Sequence, residues 1–177
     1  MSKVELIKLN KVFESKIGED VIAVNNFNMN IEHGEIVALL GSSGCGKTTT
    51  LRMIAGFEKC TDGEIKLDGE MINHLKPSER NVAMAFEGYA LYPPLTVSEN
   101  IAFGLIREKI SKSEINKKVD EVINLLEIKD IVDRYPPTIS AGQQQRVSLA
   151  RALVRNSKVL LLDEPMSQLE PQFTSCF

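Results

Sequence analysis

The stretch from Ile36 to Leu51 constrains this chain more than any other. It opens with five apolar residues, Ile36 to Leu40. A short unbroken apolar run suits a strand buried on both faces. Gly41-Ser42-Ser43-Gly44-Cys45-Gly46-Lys47-Thr48 follows and meets G-x-x-x-x-G-K-[ST] at every fixed position. Thr48 to Ala55 then reads as a helix. The glycines let main-chain N–H groups curl around an anion without Cβ clashes. The helix N-terminus adds its partial positive charge. Lys47 is placed to reach the β- and γ-phosphates of a nucleoside triphosphate, and the Thr48 hydroxyl to sit on Mg²⁺. With glycine at ~7% of residues, lysine at ~6% and serine plus threonine at ~12%, chance supplies such a motif in roughly one chain in two hundred of this length. A plain glycine turn between strand and helix is the weaker reading.

Composition sets the outer bounds. The chain has 177 residues and a formal net charge of −3, which fits one domain with a core of its own. Mild acidity argues against an electrostatic grip on nucleic acid. Cys45, Cys60 and Cys176 have no metal-ligand spacing, and the setting expected from them is reducing and cytoplasmic. The start, Met1 to Lys8, lacks the apolar stretch of a signal peptide. No run approaches the roughly 20 apolar residues of a membrane span. A membrane role would therefore run through a partner.

Val4 to Leu9, Val21 to Val24 and Phe27 to Ile31 read as strands, with a turn at Gly18-Glu19-Asp20. Gly63 to Ile72 is a hairpin with Asp68-Gly69 as its turn. These form a small antiparallel layer beside the main sheet. Val82 to Phe86 is a second buried strand. Pro93, Pro94 and Gly88 exclude a regular element in the loop that follows. Ser98 is placed to cap a helix through Phe103. Ser111 and Glu114 form a capping box ahead of Ile115, Val119, Val122, Ile123 and Leu126, which recur at helical spacing. This charged segment reads as a helical insert with a solvated outer face. Pro136-Pro137 closes it. Ser140 caps a helix from about Gly142 to Val154. Val159 to Leu162 is a third buried strand, ending in Asp163-Glu164-Pro165. Two acids at the end of an apolar strand rarely serve packing. Asp163 is placed to hold Mg²⁺ and Glu164 to polarise a nucleophilic water. His33 and His74 read as surface residues.

Together, Leu40 to Ala55, Ser140 to Leu153 and Leu160 to Pro165 resemble the ATP-binding subunits of ABC transporters. The resemblance extends to about Gln172. Arg52 to Glu58 and Tyr89 to Pro93 resemble the branch serving bacterial sugar and polyol importers, of the maltose-importer type. It implies an α/β fold: a P-loop NTPase core, mostly parallel sheet with flanking helices, a small antiparallel β layer and a helical insert, with the C-terminal strands missing. The core would comprise residues 1–90 and 135–177, and the helical subdomain 91–134. Phe13 falls where an aromatic residue stacks on adenine. Gly41, Ser42, Ser43, Gly44, Cys45, Gly46, Lys47, Thr48 and Thr49 would hold ATP. Thr48, Asp163 and Glu87 would attend Mg²⁺, with Glu164 as general base and Glu87 beside it. Ser140, Ala141, Gly142 and Gln143 correspond to the signature segment, which in the family reaches ATP bound by the opposite subunit of a head-to-tail dimer.

The implied partners are a second ATP-binding subunit, identical or not, and transmembrane permease subunits met by the loop around Glu87 and Tyr89. An extracytoplasmic solute-binding protein acts indirectly, and nucleic acid is not a partner. The implied place is the cytoplasmic face of the cell membrane. The chain departs from the family at Glu87 for glutamine, Ala141 for glycine and Glu170 for aspartate, and it ends at Phe177 without a switch histidine. Its last residues, Phe173 to Phe177, read as a truncated or frameshifted ending. The expectation is that Ile36–Leu40 and Val159–Leu162 lack the strand that would pair their inner edges, and that this chain alone is marginally stable and nearly inactive. A second reading is a nucleotide-binding interaction subunit that barely hydrolyses, paired with an active partner. A role in DNA repair or translation would need long coiled-coil inserts or a second cassette. A GTPase is disfavoured, because Asn116-Lys117-Lys118-Val119-Asp120 has one residue too many for the guanine-reading Asn-Lys-x-Asp.

Overall fold

A computed structural model describes residues 2–86, 88–106 and 110–165. Glu87, Glu170 and the ending from Phe173 to Phe177 lie outside the described residues, so the expectations resting on them have no structural counterpart here. The chain divides into two compact units, residues 1–82 and 83–177.

The first unit is built on a four-stranded sheet of order β2-β1-β3-β4, from β1 (Val4–Phe13), β2 (Val21–Ile31), β3 (Asp62–Leu67) and β4 (Glu70–Met71). All three pairings are antiparallel, as expected. Strand β2 is continuous, whereas the sequence suggested two pieces. Val4 and Leu6 alternate inward, and then the phase breaks, because Leu9 is also buried. A strand keeps one face inward only with period two, so an odd step needs a bulge. Lys8 and Asn26 supply it, each at φ 47°. Asparagine side chains serve the displaced main chain: Lys8 N donates to Asn28 Oδ1 at 2.8 Å, and Asn26 N to Asn10 Oδ1 at 2.8 Å. Asp68 turns the β3–β4 hairpin and also holds the N-terminus, accepting from Ser2 Oγ at 2.7 Å and Lys3 N at 3.0 Å.

Helix α1 (Lys47–Ala55) buries Met53, Ile54 and Ala55. It ends at Gly56, φ 83°, where a Cβ would come within 2.6 Å of Arg80 Nε. Arg80 is 5% exposed and closes the helix. Its Nη1 donates to the Met53 and Ile54 carbonyls at 2.7 and 3.1 Å, Nε to Leu75 O at 3.0 Å and Nη2 to Asn73 O at 3.1 Å. A cation at a helix C-terminus meets both the orphan carbonyls and the negative end of the dipole. Burial pushes this guanidinium below its ordinary value. Four carbonyl acceptors offset that desolvation.

The stretch 36–40 corrects an expectation. It forms no strand, and Ile36 and Leu40 are 96% and 91% exposed. An apolar run becomes a buried strand only when neighbours pair its backbone, and among the described residues none does so.

In the second unit, β5 (Val82–Ala85) pairs with β6 (Val159–Leu162). Strand β6 is half-buried rather than buried on both faces. Leu161 is inside, while Leu160 and Leu162 stand 39% and 37% exposed. Helices α2 (Val97–Phe103), α3 (Lys112–Leu125) and α4 (Ala141–Leu153) enclose one apolar cluster that includes Val97, Ile101, Val122, Ile123, Val147 and Ala150. The α2 cap is Thr96, not Ser98. Thr96 Oγ1 accepts from Glu99 N at 3.2 Å while Glu99 Oε2 accepts from Thr96 N at 2.8 Å. Ser111 caps α3 through Glu114 N at 3.2 Å, half of the expected box. Asn100 is fully buried and holds the preceding loop: its Nδ2 donates to the carbonyls of Tyr92, Leu95 and Thr96, and its Oδ1 accepts from Tyr92 N. No helix among the described residues is long and apolar enough to cross a membrane.

Candidate functional site

The loop from Gly41 to Gly46 is shaped by its glycines. Gly44 and Gly46 stand at φ 81° and 91°, where a Cβ is costly. At Gly46 there is a second reason: a Cβ would run into the Ala23 carbonyl oxygen and, at 3.2 Å, the Val24 side chain. The loop is thus seated against β2 by its last glycine. Gly46 is also the N-cap of α1, and no side chain caps this helix. The first-turn N–H groups of such an end are open to an anion. Lys47 Nζ folds back over the loop, donating to Gly41 O at 2.8 Å and Ser42 O at 2.9 Å, with Cys45 Sγ at 3.7 Å. Thr48 and Thr49 follow in the same turn, half-buried, and Thr50 Oγ1 donates to Gly46 O at 3.0 Å. An anion arriving here would offer Lys47 Nζ charged oxygens in place of neutral carbonyls, adding the attraction of opposite charges to bonds that are already charge-assisted.

Phe13 ends β1, 39% exposed, with Lys11 Nζ 4.5 Å from its ring centroid. Lys11 is itself held by Glu58 Oε1 at 2.7 Å. The ring keeps an exposed surface that could stack on a flat base.

In the second unit, Ser140 begins α4 with a full capping box. Its Oγ accepts from Gln143 N at 3.3 Å, and Gln143 Oε1 accepts from Ser140 N at 3.0 Å. The serine hydroxyl keeps its proton for donation to an external acceptor. Ala141 and Gly142 form the open first turn. At the end of β6, Asp163 is 5% exposed and its main-chain N donates to Ala85 O at 3.0 Å. Glu164 follows, exposed and at φ 52°. A left-handed backbone at a residue with a Cβ is strained, and it turns the chain off the strand line at this residue.

Gln145 joins the last two features, because its Nε2 donates to Pro165 O at 2.6 Å. The start of α4 and the acid pair are therefore tied together. Sequence reading gave Gln145 no role, nor Arg80. Both act on main-chain carbonyls, which leave no mark in a motif. Among the described residues, no three His, Cys, Asp or Glu gather as a metal cluster. A hydroxyl at Thr48 and a carboxylate at Asp163 are hard oxygen donors, the kind Mg²⁺ takes one or two of while keeping water and phosphate oxygens for the rest.

A phosphate loop opening a helix, a serine-capped helix bound to the end of a strand, and an acid pair on that strand define a nucleotide-binding cassette. Residues 24–167 match the ABC transporter family, and the chain belongs to it. The chain is similar to the sn-glycerol-3-phosphate import ATP-binding protein UgpC of Bartonella bacilliformis, at 43% identity over 96% of this chain and 48% of the relative. It is similar to the multiple sugar-binding transport ATP-binding protein MsmK of Streptococcus mutans, at 43% over 93% of this chain and 44% of the relative. It is similar also to the spermidine/putrescine import ATP-binding protein PotA of Acidothermus cellulolyticus, at 48% over 94% and 43%. The chain thus spans less than half the length of these relatives. Among solved structures, the dimeric post-hydrolysis state of the ATP-binding cassette MJ0796, bound to ADP and Pi, matches with TM-score 0.86 and 34% identity over 97% of this chain and 78% of that one.

Proposed function

We propose that this chain is the nucleotide-binding part of an ATP-driven importer subunit, and that the solute is a sugar, polyol or polyol phosphate. The observation that carries the reading is the phosphate loop. Its glycines are seated at φ 81° and 91°, its lysine lies along the loop, and the helix behind it has no side-chain cap. Residues 41–49 hold the triphosphate, and Phe13 stacks on the base. Thr48, Asp163 and Glu87 attend Mg²⁺, which when bound neutralises phosphate charge. Glu164 takes the proton of the attacking water as general base. Ser140, Ala141, Gly142 and Gln143 contact the nucleotide of a second ATP-binding subunit. The Ala141 methyl replaces the usual hydrogen there and narrows the approach to the γ-phosphate.

Partners are that second subunit and transmembrane permease subunits, with a solute-binding protein on the far side. The place is the inner face of the cell membrane. The division into residues 1–90 with 135–177 and residues 91–134 belongs to the same proposal. UgpC and MsmK by name support glycerol phosphate and sugars, while PotA shows that cargo varies among relatives of similar identity. Cargo is read by the partners.

The test uses the full-length protein and two variants. Lys47 meets phosphates in the ground state, whereas Glu164 acts on water in the transition state. Lys47→Ala should abolish MgATP binding in calorimetry. Glu164→Gln should bind as the wild type does and lose turnover by a factor on the order of 10²–10⁴, the usual contribution of a general base. Equal loss of affinity in both variants would remove Glu164 from the role of base. Tight MgATP binding by Lys47→Ala would remove the loop from the site.

A further inference from the structure

Arg151 lies in the last turn of α4, about 16 Å along the axis from Ser140 at ~1.5 Å per residue. Its guanidinium is turned onto the loop before α2. Nη1 donates to the main-chain carbonyl of Ala90, and Cζ sits 4.9 Å from the centroid of the Tyr92 ring. Burial pushes the guanidinium below its ordinary value, and the Tyr92 contact works against that shift. Tyr92 packs in turn on Phe103, centroids 4.4 Å apart.

The loop so held is strained. Tyr89 and Ala90 stand consecutively at φ 56° and 49°. Left-handed residues with a Cβ persist only where the surroundings over-determine them. Two anchors do so here. Asn100 grips Tyr92 N at 2.8 Å and Tyr92 O at 3.1 Å, from α2. Arg151 grips the Ala90 carbonyl and the Tyr92 ring, from α4. The first anchor is fully buried, and the second rides on the helix that begins at Ser140; both helices share one apolar cluster. Beyond them, Tyr92, Phe103 and Ile106 present 41%, 41% and 66% of their surface to solvent.

We infer that Arg151 is a positioning residue that ties the shape of segment 88–92 to the position of α4, so that movement at the Ser140 end reaches the exposed Tyr92–Phe103 face. The inference rests on the proposed function, in which Ser140 meets nucleotide and the loop meets a membrane subunit. The two-state element is the Tyr89–Ala90 pair, strained while the Arg151 contact holds it and free to relax when a small shift of α4 opens that contact.

Hydrogen exchange in the full-length protein tests this, with MgATPγS as the probe. The amides of Tyr89, Ala90 and Tyr92 are bonded to Phe86 O, Gly88 O and Asn100 Oδ1, so all three report on the loop. In the wild type their exchange should change when MgATPγS binds. Arg151→Met should raise it about tenfold, the scale of one lost hydrogen bond to a charged group. The same variant should abolish the nucleotide-dependent change while leaving MgATPγS affinity and Tm near wild type. Arg151→Lys, which keeps a donor but not the flat stack, should recover part of the response. Tyr92→Leu, which keeps the Ala90 bond, should fall between. An Arg151→Met protein with the wild-type nucleotide response would overturn the inference. So would a wild type that binds MgATPγS without change at 88–92, or a variant whose exchange rises throughout α2 and α4 with a fallen Tm. A wild type that binds no MgATPγS would overturn the proposed function, and this inference with it.

Discussion

Replacing Arg80 by methionine removes a buried side chain that, with the Gly56 main chain, closes α1 at its C-terminus. Four hydrogen bonds to main-chain carbonyls disappear, to Met53, Ile54, Leu75 and Asn73. Each bond from a charged donor is worth about 1.5–3 kcal/mol, but the cation's own desolvation is regained on removal. Methionine fills most of the volume and satisfies none of the carbonyls. Each buried carbonyl left without a donor costs about 1–3 kcal/mol; the Met53 carbonyl keeps Gly56 N, so the net loss should be about 2–4 kcal/mol, set against ~5–15 for a whole domain. Because α1 carries Lys47 and Thr48 at its other end, the loss should reach nucleotide binding through the helix. The assay is urea unfolding of the full-length protein with and without MgATP. The expected result is a midpoint lowered by that free energy divided by the m-value, with m itself unchanged, partly restored by MgATP through mass action. Arg80→Lys, with three donors on one centre instead of a fork, should fall between. A variant within about 0.5 kcal/mol of wild type, the range of an ordinary surface change, would refute the argument.

Gly46→Ala should abolish MgATP binding in calorimetry, since both φ 91° and the Ala23 carbonyl oppose a Cβ; wild-type affinity would show that the loop adopts another shape when loaded. Asn100→Leu should lower unfolding stability by roughly 2–4 kcal/mol, because it strands the Tyr92 amide and the Leu95 carbonyl, while the Tyr92 and Thr96 carbonyls keep main-chain donors. A loss under about 0.5 kcal/mol would mean that the loop repacks.

The parts of this fold that sequence shows are those whose residue types are individually required. Gly44, Gly46 and Lys47 are of that kind. So is Ser140, whose cap is present as read, and to which the structure adds the reciprocal bond from Gln143. The α2 cap shows where local reading fails. Thr96 and Ser98 both suit an N-cap, and only the glutamate three residues on, Glu99, decides for Thr96. The Lys8 and Asn26 bulges leave no trace in hydropathy beyond a broken alternation. Ile36 to Leu40 fail for a different reason. Their periodicity describes what a neighbouring strand would bury, and burial is set by chain elsewhere. Arg80, Gln145 and Arg151 were silent because their acceptors are main-chain carbonyls, which any sequence supplies.

The account's central claim is that a nucleotide binds at the loop and is sensed by a second cassette through Ser140 to Gln143, with Glu164 acting only on the attacking water. Sedimentation of full-length Glu164→Gln tests all of this at once. With MgATP the variant should sediment as a dimer, and as a monomer with MgADP or without nucleotide. Adding Lys47→Ala to it should leave a monomer under every condition. A Glu164→Gln protein that binds MgATP and stays monomeric would contradict the account.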